Sequence, residues 1–310
     1  MAGKLNKVLI IVGPTAVGKS LIALRIAQKF SGEIINCDSM QVYRGFDIGT
    51  DKPSAESRKL VPHHLIDILE AEEQFSAADF ARLAVETIEE VSEKGHLPIV
   101  VGGTGLYHKA LVEGLFPGPG RDPSWRQKLR QEAEEKGLNH LYTRLQEIDP
   151  EYAQKITPGD KIRIIRALEV YYLTGKPISE HFSKTVSPIK NKGFLLYQIG
   201  LKLDRKELYR RIEERVDRMF AQGIVEEVKA LVASGISTEA APFKGLGYRQ
   251  VLSFLNGEIS LEQTIRLTKI ETRHYAKRQL TWFKKSPGIV WFEAKDIENI
   301  EKYIREKVLE

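Results

Sequence analysis

Eight consecutive residues near the start of the chain have the types and spacing that bind phosphate groups. They follow the pattern G-x-x-x-x-G-K-S and are Gly13, Pro14, Thr15, Ala16, Val17, Gly18, Lys19 and Ser20. The two glycines let the backbone turn with its N–H groups pointing inward, the lysine adds a positive charge, and the serine hydroxyl can bind Mg²⁺. The motif therefore predicts a site for a diphosphate or triphosphate, and it leaves open what is done to that group.

The residues on either side of this motif predict the elements that such a loop needs. The apolar run from Val8 to Val12 is typical of a buried parallel strand. After the motif, apolar residues recur at helical spacing, so we expect a helix that begins near Lys19 and points its positive dipole end at the phosphates. A chance glycine-rich turn is the alternative, and the strand before it and the helix after it argue against that interpretation.

An acidic residue, Asp38, follows the second predicted strand, Glu33 to Asn36. In a parallel sheet, ligands bind beyond the carboxyl ends of the strands, so we expect Asp38 at the same edge as the phosphate-binding loop. There it could accept a proton from an attacking hydroxyl or amine. The alternative is a turn aspartate that hydrogen-bonds its own backbone, and position alone leaves both interpretations open.

A second glycine-rich segment, residues 102–105, follows the predicted strand Leu97 to Val101. No aspartate ends that strand, so the acidic magnesium ligand found there in many phosphate-loop enzymes is missing from this position. Thr104 could bond a phosphate oxygen, or it could simply cap a glycine-rich turn. Together, segments 13–20, 37–43 and 102–105 are expected to lie along one edge of the sheet.

Basic residues concentrate in two later segments. In the first, between Arg205 and Arg218, one arginine could reach a leaving phosphate while the others form a solvated helix surface. In the second, Lys269, Arg273 and Lys277 recur every four residues and share one helix face. Such a stripe is often only solvated, but it also suits an RNA backbone.

Apart from the magnesium expected at the phosphate-binding loop, the adjacent histidines His63 and His64 could suggest a metal site. Adjacent residues of a strand point to opposite faces, and no other cysteine or histidine lies nearby at ligand spacing. The pattern therefore argues against a metal role for this pair.

Composition limits the class of protein. The chain has 310 residues, of which 42% are hydrophobic, enough for one large or two ordinary domains. It has no apolar run of about 18 residues that could cross a membrane, no secretion signal, and a single cysteine, Cys37. We therefore expect a soluble, cytoplasmic protein. A monomer is a separate expectation, which these features do not establish. The 47 basic and 42 acidic side chains permit a nucleic-acid partner without requiring one.

The order of predicted elements indicates an α/β fold, a P-loop NTPase-like parallel sheet with helices on both faces, plus an inserted all-helical module. Residues 1–115 would form the first part of the core, 116–192 the module and 193–310 the mostly helical continuation. Within the core we expect a strand at His64–Ile68, a helix capped by Ser76 and a short strand at Ile289–Phe292. The module is expected to contain helices at 124–136, 139–147 and 160–174.

Several longer motifs resemble those of the tRNA dimethylallyltransferases, also called tRNA isopentenyltransferases, over nearly the whole chain. The phosphate-binding loop is shared with many enzymes, but the motifs that begin at Asp38 and Gly245 are far more specific. The matching segments are 13–20, 38–43, 47–53, 63–67, 102–105, 122–126, 163–170, 245–250 and 272–283.

The resemblance implies transfer of a dimethylallyl group from dimethylallyl diphosphate to N6 of the adenosine just 3′ of the tRNA anticodon. The phosphate-binding loop, with Mg²⁺ on Ser20, would hold the diphosphate, Asp38 would act as the general base, and Thr104 and Arg215 would be catalytic donors. The anticodon stem-loop and its adenosine would be contacted by Asp38, Ser39, Met40, Gln41, Thr104, Arg126, Arg163, Arg166, Lys244, Gly247, Tyr248, Arg249 and Gln250.

Two other functions fit parts of this sequence. A kinase that phosphorylates a small molecule or nucleotide would use the same loop, although the missing aspartate and the large basic helical addition argue against it. An RNA-binding module whose nucleotide site only regulates affinity is the second alternative. Prenyl transfer to tRNA that depends on Asp38 would distinguish a dimethylallyltransferase from both of these alternatives.

Overall fold

In the computed structural model, which describes residues 6–309, six parallel strands form one sheet in the order β3-β2-β4-β1-β5-β6. The strands are β1 (Lys7–Val12), β2 (Gly32–Asn36), β3 (His63–His64), β4 (Leu97–Gly102), β5 (Leu195–Lys202) and β6 (Ile289–Glu293). In register, Leu9 of β1 lies between Ile99 of β4 and Tyr197 of β5. The predicted short strand near Ile289 is confirmed.

Helices cover both faces of this sheet because its strands are apolar on both sides. Val8 and Ile10 pack with α3 (Ala77–Glu93) and α4 (Gly105–Val112) on one face. Leu9 and Ile11 pack with α1 (Lys19–Lys29) on the other. This two-sided burial is typical of a parallel sheet and confirms the predicted fold class.

Further helices lie in the same compact unit as the sheet. They are α2 (Ala55–Leu60), α10 (Pro188–Asn191), α11 (Arg205–Ala221), α12 (Ile224–Ala233), α13 (Tyr248–Leu255), α14 (Leu261–Lys285) and α15 (Ile297–Tyr303), with a 3₁₀ helix at Ala241–Lys244 and a π-helical turn at Ile304–Leu309. The predicted cap of α3 is confirmed, since Ser76 and Asp79 form a reciprocal capping box. None of the helices in residues 6–309 is both long and apolar enough to cross a membrane.

An aromatic cluster fixes the loop that follows β2. Phe46 of this loop makes edge-to-face contacts with Phe243 and Tyr248, at ring-centroid distances of 5.1 Å in both cases. All three rings are buried. Because such pairs hold both position and orientation, the loop after β2 is packed against α13 rather than left in solvent.

A second compact unit spans Glu113–Ser187, whereas the described residues before it and from Pro188 onward form the first. Its helices are α5 (Pro123–Lys136), α6 (Leu138–Ile148), α7 (Pro150–Ala153), α8 (Lys161–Thr174) and α9 (Ile178–Phe182). The three helices predicted here are confirmed to within one residue at each end. Buried Leu129, Leu141 and Leu168 belong to a core of its own.

The strand predicted over His64–Ile68 is wrong in its extent, because β3 contains only His63 and His64. The next residues leave the extended conformation, with φ of +59° at Leu65 and +55° at Asp67. The Asp67 carboxylate is bonded by Lys52 at 2.5 Å and by Arg58 at 2.7 Å. These ion pairs tie the turn to the preceding loop, and a hydropathy pattern does not reveal them.

Candidate active site

The ends of three neighbouring strands, β1, β2 and β4, open onto one cavity of about 710 Å³. Its wall includes residues from each of the three segments that the sequence placed at this edge, for example Lys19, Asp38 and Gly103. Helices α11 and α14 and the segment before α13 complete the wall. The prediction that segments 13–20, 37–43 and 102–105 share one edge of the sheet is therefore confirmed.

The phosphate-binding loop has the backbone that its glycines predict. Gly13 has φ of +152°, and a Cβ there would lie 2.7 Å from the Leu201 carbonyl oxygen, so a side chain is excluded. The Lys19 ammonium lies inside the loop and donates to the carbonyl oxygens of Gly13 and Pro14, at 3.0 and 2.8 Å. Burial lowers the pKa of Lys19 to about 8, although the carboxylates of Asp38 and Asp51 oppose the shift.

Asp38 makes the turn bond that the alternative interpretation requires, but with only one of its oxygens. Oδ1 accepts a hydrogen bond from the Met40 N–H at 2.8 Å. Oδ2 has no hydrogen-bond or ion-pair partner among residues 6–309, and the side chain lies in the cavity wall. One oxygen thus orients the carboxylate while the other can accept a proton, so the two roles are compatible.

Thr104 lies between the loops that follow β2 and β4. Its hydroxyl accepts a hydrogen bond from the Ser39 N–H at 3.1 Å and donates to the Ser39 hydroxyl at 3.4 Å. The neighbouring residues Gly102 and Gly103 form cavity wall. The bonds of Thr104 therefore hold Ser39 and, through it, the turn that contains Asp38.

Basic side chains outnumber acidic ones around the cavity. Lys19 is joined by Arg215 of α11, whose guanidinium donates to the Thr15 hydroxyl at 2.5 Å and pairs with Asp51 at 3.5 Å. Further basic residues in the wall are Arg211, Arg218, Lys244, Arg249 and Arg278, and the acidic residues there are Asp38, Asp51 and Glu214. The excess of positive charge suits a polyanionic ligand.

The sequence-predicted RNA contacts are divided between cavity wall and internal structure. Met40, Gln41, Ser39, Lys244 and Arg249 line the cavity together with Asp38. Tyr248 also reaches it, but the ring is buried and its hydroxyl donates to Glu227 at 2.6 Å.

Two further residues of the segment 245–250, Gly247 and Gln250, form hydrogen bonds within the protein. The side chain of Gln250 accepts from the Gly247 N–H at 2.8 Å and donates to Glu271 at 2.7 Å. Arg249 also pairs with Glu271. Gly247 and Gln250 therefore shape the start of α13, and their predicted contact with RNA stays a prediction.

In the helical unit, the three arginines predicted to bind RNA differ in their surroundings. Arg126 makes a two-pronged ion pair with the fully buried Glu169 at 2.7 and 2.8 Å, and Arg166 bonds the same carboxylate at 2.6 Å. Arg163 is more exposed and pairs with Asp160 at 3.4 Å. The guanidinium of Arg163 is thus the one most available to a phosphate backbone.

The structure also gives roles to residues that the sequence pattern did not single out. Gln279 of α14 is buried and bonds both the phosphate-binding loop and the loop after β4. Thr268, Thr272 and Tyr275 of the same helix reach the cavity. Two signals were available: their spacing of three or four residues on a single face of α14, and the place of Thr272, Tyr275 and Gln279 within the matching segment 272–283.

The basic stripe predicted on α14 is partly neutralised. Lys269 pairs with Asp217 at 2.7 Å and Arg273 pairs with Glu213 at 2.8 Å, both on α11, whereas Lys277 is exposed. These two pairs join α14 to α11. The stripe therefore presents less free charge than its sequence suggests.

Of the two histidines flagged in the sequence, His64 bonds the buried carboxylate of Glu33, whereas His63 bonds the Val61 carbonyl oxygen at 2.8 Å. Glu33 accepts a bond from His64 and another from His96, each at 2.6 Å. No group of three or more His, Cys, Asp or Glu side chains within residues 6–309 is arranged to hold a metal ion.

Comparison with known proteins identifies similar sequences and folds along nearly the whole chain. A family model described as IPP transferase matches residues 41–286. The chain is 47% identical over 292 residues to a tRNA dimethylallyltransferase of Geobacter sulfurreducens, covering 94% of this chain and 93% of the relative. It is 48% identical over 305 residues to that of Carboxydothermus hydrogenoformans, covering 98% and 96%.

Solved structures agree with these matches. A tRNA isopentenylpyrophosphate transferase of Bacillus halodurans is similar with a TM-score of 0.72 and 41% identity, covering 98% of this chain and 97% of that one. A eukaryotic dimethylallyltransferase acting on tRNA gives a TM-score of 0.77 at 32% identity, covering 98% of this chain and 77% of that one.

Proposed function

The chain belongs to the IPP transferase family of tRNA dimethylallyltransferases, and on that premise we propose which substrates it uses and how. It transfers a dimethylallyl group from dimethylallyl diphosphate to N6 of the adenosine adjacent to the 3′ side of the tRNA anticodon, and releases diphosphate. The observation that supports this most directly is the unpartnered Oδ2 of Asp38 in the same cavity wall as the phosphate-binding loop. The kinase interpretation gives way to this one, since the relatives are named as transferases of a dimethylallyl or isopentenyl group and not of a phosphate group.

The phosphate-binding loop would hold the diphosphate as a leaving group. Negative charge grows on the diphosphate as the allylic C–O bond breaks, so donors directed at it stabilise the transition state more than the ground state. Lys19 and Arg215 supply such charges, and the loop N–H groups add hydrogen bonds. Arg215 is already positioned against this loop by its bond to Thr15.

Asp38 would accept the proton that N6 loses. An adenine amine is a weak nucleophile because its lone pair is delocalised into the ring, so removal of the proton during attack matters. The bond from the Met40 N–H to Oδ1 orients the carboxylate and leaves Oδ2 for the amine. The adenosine must leave its stack to reach this position, as in other base-modifying enzymes.

Mg²⁺ fits the donors present near the loop. The Ser20 hydroxyl lies in the cavity wall at the first turn of α1, and Asp38 and Asp51 line the same cavity. Mg²⁺ prefers oxygen ligands and usually keeps several waters when it binds a phosphorylated substrate. We propose that Ser20 and diphosphate oxygens hold it, where it neutralises charge on the leaving group.

The tRNA anticodon stem-loop would bind over the basic residues around the cavity mouth, with Arg163 of the helical unit as a further contact. We propose that the protein acts as a monomer. A protein that modifies tRNA works where its substrate is, and we therefore propose a cytoplasmic location.

The decisive experiment is mass analysis of tRNA nucleosides after incubation of unmodified tRNA with the protein, Mg²⁺ and dimethylallyl diphosphate. We expect one adenosine per acceptor tRNA to gain a dimethylallyl group at the position next to the anticodon. ATP in place of the prenyl donor serves as the control. Phosphate transfer from ATP to a small acceptor, with unmodified tRNA in all reactions, would contradict the proposal and favour a kinase.

A further inference from the structure

Gln279 joins two loops of the cavity that are far apart in sequence. Its Oε1 accepts a hydrogen bond from the Thr15 N–H in the phosphate-binding loop at 2.8 Å. Its Nε2 donates to the Gly103 carbonyl oxygen in the loop after β4 at 2.9 Å. The side chain is 5% exposed. Both ends of one amide are thus used, and a buried amide with both ends paired has a fixed orientation.

The space around this amide leaves no room for a side chain at position 103. A Cβ on residue 103 would lie 2.2 Å from Nε2 of Gln279, which is a steric clash. A glycine at 103 is therefore what lets the amide approach the backbone. The contact depends on the residue types at both positions, 279 and 103.

On the phosphate side, Gln279 fixes a residue that also bonds Arg215. Thr15 gives its N–H to Gln279 and accepts the Arg215 guanidinium on its hydroxyl. A shift of the Thr15 peptide would therefore move both the loop and the arginine proposed to stabilise the diphosphate.

On the acceptor side, the Gly103 carbonyl that Gln279 bonds is followed directly by Thr104. Thr104 in turn bonds the N–H of Ser39, next to Asp38. Gln279 of α14 thus bonds the loop that would hold the leaving group and, through the loop after β4, is connected to the turn that carries the proposed base.

We propose that Gln279 is a positioning residue, which sets the separation between the phosphate-binding loop and the Asp38 turn for prenyl transfer. This inference rests on the proposed function. Displacement of a reacting group by about 1 Å can cost on the order of a hundredfold in rate, so a residue of the cavity wall that holds two loops in place can control the chemical step. Binding of each substrate alone depends on one loop only and should change little.

The test is Gln279→Glu, which keeps an acceptor for Thr15 and loses the donor for Gly103. We expect kcat for prenyl transfer to fall at least about tenfold, while KM for tRNA and for dimethylallyl diphosphate stay within about threefold of their original values. A protonated carboxyl has both a donor and an acceptor. The ratio of variant to wild-type kcat should therefore rise as the pH falls from about 8 to about 5.5.

Two controls make the outcome decisive. Gln222→Glu makes the same chemical change at an exposed position at the end of α11 and should leave kcat unchanged. Gly103→Ala displaces the Gln279 amide from the other side and should reproduce the loss of kcat, which decides the matter if Gln279→Glu does not fold.

The results also separate this inference from the proposed function. If the wild-type protein does not modify tRNA, the proposed function fails. If it does, and folded Gln279→Glu and Gly103→Ala both keep their kcat, or lose it only in step with both KM values, Gln279 is not a positioning residue.

Discussion

The Arg215 guanidinium donates a hydrogen bond to the Thr15 hydroxyl at 2.5 Å, and this arginine also pairs with Asp51 at 3.5 Å. A side chain from α11 is thereby held against a loop 200 positions earlier in the chain. The hydroxyl of Thr15 is neutral and the carboxylate of Asp51 is 3.5 Å away. These two partners fix the position of the guanidinium, and its closest partner carries no charge. A donor that is already in place costs no reorganisation when charge develops on a leaving group.

Arg215→Ala should therefore slow transfer by about 10² to 10³, the usual effect of removing one preorganised donor to a developing charge. Single-turnover rates with both substrates saturating measure this. Arg210→Ala is the matched control, since Arg210 lies on the same helix but is exposed and paired with Glu207 and Glu214. Equal rates for the two variants would remove Arg215 from the mechanism.

Asp38→Asn separates the two roles of this carboxylate. The amide oxygen of asparagine can still accept from the Met40 N–H, so the turn is preserved, but the side chain cannot take a proton. We expect transfer to fall by about 10² to 10⁴, with unchanged binding of tRNA and of dimethylallyl diphosphate. If Asp38→Asn transfers normally and only Asp38→Ala is slow, Asp38 is a turn residue and not the base.

Binding of diphosphate should depend on pH through Lys19. Because burial lowers the pKa of this ammonium to about 8, its positive charge is complete below that pH and is lost as the pH rises through it. The affinity for inorganic diphosphate should thus be level below pH 8 and weaken above it, by up to about tenfold per pH unit. Calorimetric titration at several pH values measures this.

Lys19→Arg is the control for that pH dependence. Arginine keeps its charge throughout this range, so the change in affinity near pH 8 should disappear even if binding is weaker overall. The same change in both proteins would assign it to another group.

Local patterns were enough to predict the elements and the edge of the sheet where the site lies. The turn at 13–20, the ends of β1, β2 and β4 and the Ser76 cap each depend on residues within a few positions, and these are confirmed, whereas the predicted end of β3 is wrong. Gln279 was missed because its partners, Thr15 and Gly103, lie 264 and 176 positions away. No spacing rule along one helix reports which loops it will touch.

Charged residues were the other limit of sequence reasoning. A pattern shows that Arg126 and Arg166 are basic, but not that a buried Glu169 already binds both. In the same way, the turn after β3 depends on Lys52 and Arg58 reaching Asp67. Whether a charge is free for a ligand depends on tertiary partners, which only the structure supplies.

That difference predicts distinct effects for two arginines of the helical unit. Arg163→Ala should weaken tRNA binding and reduce the dependence of log K on log salt by about one ion, while the affinity for dimethylallyl diphosphate stays the same. Titration of labelled tRNA at several salt concentrations measures this. An exposed arginine elsewhere, Arg305→Ala, is the control, and equal salt slopes for both variants and the wild type would contradict the assignment.

Arg126→Ala should instead lower the stability of the helical unit, because it leaves the buried Glu169 with one guanidinium fewer. Its effect on tRNA binding should follow the unfolded fraction. A melting temperature equal to that of the wild type, together with weaker tRNA binding, would show that Arg126 contacts RNA directly.

Glu169 itself should make the helical unit sensitive to acid. Burial alone would raise the pKa of this carboxyl, but the bonds from Arg126 and Arg166 and from the Asp122 N–H outweigh it and lower the pKa to about 2. A carboxyl whose pKa is lowered on folding stabilises the folded state fully above its unfolded value, near 4.5. That contribution, on the order of 3 kcal/mol, is lost as the pH falls from about 4.5 towards 2.

Trp125 gives this prediction a local readout, because it stacks on Tyr172 within the same unit at 4.5 Å between ring centroids. In a Trp282→Phe, Trp291→Phe background it is the chain's remaining tryptophan. Urea unfolding followed by its fluorescence should show Glu169→Gln to be destabilised at pH 7 by about 3 kcal/mol, since two half-buried guanidinium groups lose their counter-ion. The free energy of unfolding of Glu169→Gln should also depend less on pH below 4.5 than that of the parent.

Glu151→Gln is the control, because Glu151 forms an exposed pair with Lys155. It should match the parent in both respects. Equal acid sensitivity in all three proteins would assign the effect to other carboxylates.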